Sequence, residues 1–416
     1  MKKKKSILFL VNYYYPDVAS TGQLMTELCE DLSSEFDLTI VAALPGYTEK
    51  IDNKYGNKIF NRETRDNLEI VRIKLPKVEK TKKLSRVKYI LSYFFLTFLW
   101  VLKDKKHDIV FSISQPPVLG GLTGLLTKIF KRSKFVYNIQ DFNPEQIEAI
   151  NYSSNKSVIK LMRKLDNLSC KYADNIIVVG RDMVNTLAKR KVLLSNNENV
   201  CIINNWIDEK AVYPLPKEDK NVQEFLSYYN LEGKFIIMYS GNIGLYYDLE
   251  NIIKVAKNLQ ENKEIHFLFI GEGAVKQQME DFVKREKLNN VTFLPYQDKS
   301  RLIYSLNVAD VHLVANQLGI KGVSVPSKIY GVMAVGKPIL GVLEEGSEAE
   351  ILINQCDSGY VVKPKDYKEI EIAIKRFYNN SEETNTQMGK RGRKLIEEEF
   401  NKRISIENYK DLFNKM

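Results

Sequence analysis

Five loops combine side chains that could bind or transfer charged groups. NYYYPDVASTGQ (12–23) carries Thr21 and Gly22. A glycine at a strand-to-helix turn lets the backbone approach a phosphate, and a helix N-terminus favours negative charge. The loop lacks GxGxxG, so it gives no dinucleotide-binding fingerprint, and a structural turn is the plain alternative. SGNIG (240–244) sets Asn242 between glycines ahead of a helix, a pattern suited to a backbone nest around a phosphate or to a tight turn. GEGAV (271–275) holds Glu272 beside Gly273, where a carboxylate could accept hydrogen bonds from a base or a ribose. In KGVSVPSKIYGVMAVGKP (321–338), Ser327 is an N-cap candidate and Lys328 falls in the first helical turn. An ammonium there opposes the helix dipole, a local conflict expected of a group awaiting an anion; an exposed, solvated lysine is the alternative. NIQDFNPEQ (138–146) offers Asp141 and Glu145 as acid/base groups, or Asp141 as a helix cap.

These loops need a scaffold that presents them together. Short apolar, β-branched runs predict buried parallel strands at 7–11, 38–43, 108–113, 135–139, 175–179 and 200–203. A second series follows at 235–239, 265–270, 291–294, 311–314 and 338–342. Amphipathic stretches between them (23–34, 158–172, 249–259, 275–286, 301–308) predict helices, and 368–414 reads as helical and polar. Repeated β-α-β in two blocks means two doubly wound α/β domains, with ligands beyond the carboxyl ends of the strands. Residues 1–205 form the first domain, 206–220 a proline-containing, charged linker, and 221–400 the second; a helix at 401–416 could return to the first.

Composition excludes several classes. The four cysteines lie far apart and the three histidines are unpaired, so neither a disulfide framework nor a zinc site is indicated. No Asp-x-Asp and no GxxxxGK[ST] occurs, which excludes a P-loop and gives no sign of a metal-bridged nucleotide site. The apolar run after the N-terminal lysines is too short for a signal-peptide core and reads as a strand of a cytoplasmic chain. The net charge of +10 is concentrated in residues 1–210, with 34 basic and 23 acidic residues. Residues 71–106 hold eleven basic residues and two acids around the uncharged YILSYFFLTFLWVL (89–102). That run is short for a bilayer span and suits either a membrane surface with anionic headgroups or a fully buried helix with snorkelling lysines. Lys82, Lys83, Arg86, Lys88, Lys103, Lys105 and Lys106 flank it. No nucleic-acid module accompanies the charge.

The loops in this order resemble a known family. YYYPDVASTGQLMTELCEDL, LPGY after the second strand, SQPPVLGGLTG, NIQDFNPE, INNWIDEKAVYP, YSGNIGLYYDLENI, FIGEGAVKQQME and VPSKIYGVMAVGKPIL carry the resemblance over nearly the whole chain. The chain resembles bacterial glycosyltransferases of the GT-B fold, family four, and within it enzymes of capsule, O-antigen and colanic acid assembly, including those assigned as fucosamine transferases. The resemblance implies two Rossmann-like domains facing a central cleft. It implies transfer of a sugar from a nucleotide-sugar donor, with retention and with neither metal nor cofactor, to a polyprenyl-linked glycan. The place would be the inner face of the cell membrane. By the same resemblance Gly22 faces the diphosphate or donor sugar; Asn242 and Gly244 line the diphosphate; Glu272 and Gly273 lie beside the nucleotide; Tyr296 neighbours the base; Ser327 and Lys328 meet the diphosphate. The chain departs from the wider family at Val323 and Gly331, where many members carry a pair of Glu. Glu348 is the substitute considered for the ribose-binding Glu. The Arg and Lys that many members place after the first strand of the second domain are missing; Lys328 with Lys321 would supply that charge. A frequent His corresponds to Gln140, leaving Asp141 as the acid/base or acceptor-orienting candidate. The alternatives are a nucleotide-sugar epimerase on the same fold and a partner subunit without catalysis.

Overall fold

The computed structural model describes residues 4–17, 20–45, 55, 58–66, 68–78, 83–150, 155–192 and 199–416, without the side chains of Ser20 and Lys83. Gly46 and Tyr47 of the LPGY motif, part of the 12–23 loop and Lys82 lie outside the described residues. The chain divides into two compact units. One comprises Met1–Ile147, Ser153–Asn204 and Ile406–Met416, the other Glu148–Tyr152 and Asn205–Ser405.

The first unit is built on eight strands: β1 (Ser6–Leu10), β2 (Asp37–Ala43), β3 (Phe60–Arg65), β4 (Leu68–Ile73), β5 (Ile109–Ile113), β6 (Lys134–Ile139), β7 (Asn175–Val178) and β8 (Val200–Ile202). Their order is β3-β4-β2-β1-β5-β6-β7-β8, parallel throughout except that β3 runs antiparallel to β4. Ile109–Ile113 is buried at every residue, as a strand covered on both faces must be. β3 (FNRETR) and β4 (LEIVRI) escape the apolar-run criterion. The first is a charged edge strand, and the second carries Arg72, which is 1% exposed.

The second unit repeats the plan with β9 (Phe235–Ser240), β10 (Ile265–Ile270), β11 (Val291–Leu294), β12 (Val311–Ala315), β13 (Ile339–Val342) and β14 (Gly359–Val362). All pairs are parallel, in the order β11-β10-β9-β12-β13-β14. Strand order reverses between β9 and β12 here, and between β1 and β5 in the first unit. At such switch points the loops beyond the strand carboxyl ends diverge and leave a crevice.

Two readings from sequence are corrected. Residues 206–220 are not a free linker: they belong to the second unit, where Trp206 and Val212 are buried and Leu215 N–H donates to Asn307 Oδ1 at 2.9 Å. The stretch 249–259 forms two short helices, Leu249–Ile252 and Val255–Asn258, instead of one. The last helix, Lys402–Lys415, contributes Ile406 onward to the first unit. There Phe413 packs edge-on against Phe9, Phe36 and Phe111, and Tyr409 Oη accepts a hydrogen bond from Asn138 Nδ2 at 2.6 Å.

The apolar segment of the first unit is the helix Lys83–Lys103. It is not fully buried. Tyr93, Phe94, Trp100 and Val101 face inward, and Tyr89 Oη donates to Asn12 Oδ1 at 3.4 Å. Leu84, Val87, Leu91, Phe95, Leu99 and Leu102 are exposed at helical spacing. Among the described residues, 84–103 is the one stretch long and apolar enough to cross a membrane by length and mean hydropathy, here 1.2.

Candidate active site

In the second unit the loops that follow β9, β10, β11, β12 and β13 emerge from one edge of the sheet. They carry Asn242 and Gly244, Glu272 and Gly273, Tyr296, Lys321 to Lys328, and Glu348 respectively. The glycines are there because two of these loops nearly touch. A Cβ on Gly271 would stand 1.9 Å from the Gly241 carbonyl oxygen, and one on Gly273 would stand 2.1 Å from that of Ile243. Gly241 and Ile243 donate their N–H groups to the carbonyls of Ile270 and Glu272, both at 2.9 Å. The nest read from the sequence is therefore half used. The N–H groups of Asn242 and Gly244 have no acceptor among the described residues, which leaves them for a ligand.

Lys328 stands across the switch point from this loop, at the start of the helix Lys328–Ala334. Its ammonium donates to Tyr239 Oη and lies 3.7 Å from the Tyr239 ring centroid and 4.1 Å from that of Tyr247. Tyr239 Oη in turn donates to the Asn242 carbonyl at 2.8 Å. A Cβ on Gly241 would come within 3.3 Å of Lys328 Cε, so the lysine stem lies along the glycine loop. Burial pushes the Lys328 amine well below the usual lysine range. It also pushes the Tyr239 hydroxyl well above the usual tyrosine range. No carboxylate pairs with Lys328 among the described residues. Two π-faces soften the cost of desolvating the cation, and an arriving anion would remove it. The amine is thus covered by rings, in place of the solvated lysine that the sequence left open. Tyr239 and Tyr247 were not picked out from sequence. The aromatics bracketing SGNIG in MYSGNIGLYY were the available signal.

Other residues are placed differently from their sequence roles. Ser327 does not cap the helix: its own φ and ψ of −55° and −18° are helical and its side chain makes no capping bond. A side-chain cap requires an extended backbone at that position. Lys321 is tied to the loop after β13, its N–H donating to Glu344 Oε2 at 3.0 Å and its ammonium to the Glu345 carbonyl. Glu272 is exposed and paired with Lys276 at 2.7 Å, so a ribose would have to compete for it. Tyr296 is half-exposed, and its ring lies 3.5 Å from a Cβ built on Gly271, beside the same two loops. Glu348 is 1% exposed in the first turn of the helix Glu348–Gln355, a position where the dipole favours a carboxylate.

In the first unit, Thr21 and Gly22 occupy the first turn of the helix Ser20–Leu32. Gly22 faces the chain, since a Cβ there would lie 3.1 Å from Tyr13 Cβ, and Thr21 Oγ1 accepts from Gln115 Nε2 at 3.5 Å. Gln115 follows β5, so the two loops of this switch point meet. Ser114 Oγ accepts the N–H groups of Gln140 and Asp141 at 3.0 and 3.2 Å, which fixes the loop after β6 and holds Asp141 half-buried at the same edge. Glu145 is not available as an acid or base. Arg190 donates to both of its oxygens, Nε to Oε1 at 2.9 Å. Burial raises the Glu145 carboxyl, and the bonds and charge of Arg190 outweigh it, so the net shift is downward. Arg190 also donates to Asp166 and to the Asn143 carbonyl at 3.0 Å, and Tyr137 Oη donates to Asp166 at 2.7 Å. This buried cluster clamps the loop carrying Asp141.

Two Rossmann-like α/β units, each with its loops gathered at a switch point, define the GT-B class of glycosyltransferase folds. Solved structures match over the whole chain. Sucrose-phosphate synthase from Thermosynechococcus elongatus superposes with a TM-score of 0.74 at 15% identity, covering 99% of both chains. Anabaena HepE, in complex with UDP and glucose, gives 0.73 at 11% identity and 99% of both chains. At such identities the likeness is one of fold. The family model for glycosyl transferases group 1 matches residues 223–395. A protein of Pseudomonas aeruginosa named Probable glycosyltransferase WbjE is 30% identical over 345 residues, 81% of this chain and 82% of its own. WcaI of Escherichia coli K12, named as a colanic acid biosynthesis glycosyl transferase, is 25% identical over 80% of this chain and 81% of its own. The chain belongs to the group 1 glycosyl transferases.

Proposed function

We propose that the chain moves a sugar, with retention of anomeric configuration, from a nucleotide-sugar donor to a polyprenyl-linked glycan during assembly of a bacterial surface polysaccharide such as a capsule or O-antigen. The relative named for colanic acid biosynthesis supports a surface polysaccharide as the product, and the UDP-glucose complex of HepE supports a nucleotide sugar as the donor. The observation that carries the reading is Lys328, a desolvated ammonium without a carboxylate, beside the unused N–H groups of Asn242 and Gly244. As the glycosidic bond breaks, the leaving diphosphate gains charge. Lys328 and the loop amides would receive it, and such preorganised donors stabilise a transition state most. The positive charge comes from the protein, so the reading needs neither metal nor cofactor. Tyr296 would flank the base, Gly273 would let the nucleotide approach the backbone, and Glu348 or Glu272 would take the ribose. In the first unit Thr21 and Gly22 would meet the donor sugar and diphosphate, and Asp141 would orient the acceptor or accept its proton. The exposed apolar face of the helix Lys83–Lys103, with its basic flanks in 71–106, would rest on the inner face of the cell membrane, where such an acceptor lies.

A melting-temperature panel of nucleoside diphosphates and nucleotide sugars tests this. A bound ligand at a hundred times its Kd adds about 2.7 kcal/mol of stability. We expect at least one nucleotide sugar to raise the melting temperature of the wild type, with Lys328→Ala folded but unresponsive. A wild type that no nucleotide stabilises, or a Lys328→Ala variant that responds fully, defeats the assignment.

A further inference from the structure

At the opposite edge of the first unit's sheet from Thr21 and Asp141, a cavity of about 690 Å³ opens at the amino ends of β1, β5 and β6. That volume is within the range of small-ligand sites, about 300–1,000 Å³. Lys4, Lys5, Lys106, Lys128, Arg132 and Lys134 line it with Met416 and two acidic side chains, Asp108 and Asp174, so the basic groups outnumber the acidic ones even with the Met416 carboxylate counted. Both acids serve the fold. Asp108 accepts from the N–H and hydroxyl of Ser6 at 2.9 and 2.8 Å, and Asp174 accepts the Phe135 N–H at 2.7 Å while pairing with Lys128 at 2.8 Å. Among the described residues no carboxylate pairs with Lys106 or Arg132. The cavity thus holds unneutralised positive charge.

An apolar surface adjoins it. The helices Lys83–Lys103 and Leu119–Lys131 end side by side: Lys131 Nζ donates to the carbonyls of Leu102 and Asp104 at 3.1 and 2.6 Å, and the rings of Phe98 and Phe130 meet at 5.3 Å. Leu99, Leu102, Ile129 and Phe130 are exposed there, next in sequence to the cavity residues Lys106, Lys128 and Arg132. The stripe continues along the 21-residue helix to Leu84, about 30 Å away, past the point where Tyr89 reaches the loop after β1.

We propose that this cavity binds the phosphate headgroup of an anionic phospholipid, with Leu99, Leu102, Ile129 and Phe130 entering the acyl layer beside it. The inference rests on the membrane-surface reading above and adds a defined headgroup site to it. Charge decides the occupant: a neutral apolar partner has no use for the cationic cavity, and a free anion has none for the stripe. Anchored there, the helix lies along the bilayer and brings the loop edge of the first unit to its surface.

Vesicle sedimentation of the full-length protein tests the site. Vesicles of phosphatidylcholine mixed with phosphatidylglycerol are compared with phosphatidylcholine alone. Each basic residue near an anionic surface contributes about five-fold, so Lys106→Ser/Arg132→Ser should lower partitioning to the mixed vesicles about thirty-fold. Leu102→Ser/Phe130→Ser should lower binding to both kinds. Lys284→Ser/Lys287→Ser, a charge-matched pair in the second unit, should change neither. Wild-type binding by the Lys106/Arg132 variant, or an equal loss in the Lys284/Lys287 pair, overturns the headgroup site. So does stabilisation of the wild type by inorganic phosphate that the Lys106/Arg132 variant loses while its vesicle binding persists, since the ligand is then soluble. The nucleotide-dependent melting shift, read on every variant, reports the Lys328 site independently, so failure here and failure of the transferase reading stay distinguishable.

Discussion

The two units bury charge in opposite ways. The first unit buries Arg190 against Asp166 and Glu145, and Arg72 against Glu63 at 2.8 Å, so that each guanidinium meets a carboxylate inside the protein. The second buries the Lys328 amine with two tyrosine rings and no carboxylate. A buried charge is tolerated when paired and costly when not. The paired clusters hold loops in place, and their chemistry is complete. The lysine has no such partner among the described residues, and under the proposal above an anion would supply one.

If that contrast is right, the largest stability loss comes from breaking a pair in the first unit. Arg190→Met leaves Asp166 buried without its cation and Glu145 with only Arg163 at 3.5 Å, and should cost about 3–5 kcal/mol in urea unfolding. Adding Asp166→Asn and Glu145→Gln should recover part of it. A single-variant loss below about 1 kcal/mol would mean that the cluster is solvated in solution and the contrast is false.

Lys328→Met tests the other side with the opposite sign. The unfolded lysine is protonated at neutral pH, whereas the native amine is depressed by burial. Between the native and unfolded values the unfolded state binds more protons, so wild-type stability rises with pH there. The variant should therefore be at least as stable as wild type near neutrality, with the difference narrowing as pH climbs towards 10. Its turnover should fall about 10²–10³-fold, as for loss of one preorganised transition-state donor. A variant less stable than wild type at neutral pH would mean that the lysine is structural.

The fold was legible where burial acts on contiguous residues. Strands β1 and β13 follow directly from their apolar runs, Ile7–Leu10 and Ile339–Val342, buried at every residue as in a strand covered on both faces. β3 is at the sheet edge and needs no such run, and β14, GYVV, is too short to stand out. The loops were legible through glycine, since close approach of 241–243 to 271–273 forbids a Cβ. What the loops contain was less so. Glu145 looks like a general base until Arg190, 45 residues on, is seen to hold it. Lys328 looks solvated until Tyr239, 89 residues earlier, covers it. Ser327 has a capping residue type, but capping depends on a backbone angle that composition does not encode.

Acid sharpens the comparison at a smaller scale. His266 and His312 both belong to the second unit, and burial first of all pushes each down to about 4. Above the unfolded value of about 6.5 both states are neutral and nothing changes. As pH falls from there towards 4, the unfolded chain takes up protons that the native histidines refuse, and stability falls. Between pH 7 and 5 this amounts to about 2 kcal/mol per histidine. His312→Asn should flatten the fall in the urea midpoint by about that amount. An unchanged acid limb would place the second unit's sensitivity elsewhere.

The smallest effect isolates the rings themselves. If Lys328 is held by π-faces in place of a carboxylate, Tyr247→Phe keeps the face and should bind nucleotide sugar nearly as well as wild type. Tyr247→Leu removes a contact worth about 1 kcal/mol, which is about a five-fold loss of affinity by calorimetry. The ranking carries the argument. Equal losses in both variants would assign the role to the Tyr247 hydroxyl, and the lysine of the second unit would then be held by the hydrogen bonds it donates to two phenols. Loss in the Leu variant alone would establish that this unit uses aromatic faces where the first uses carboxylates. A carboxylate there would neutralise the lysine, whereas a ring covers it and leaves its charge available to an anion.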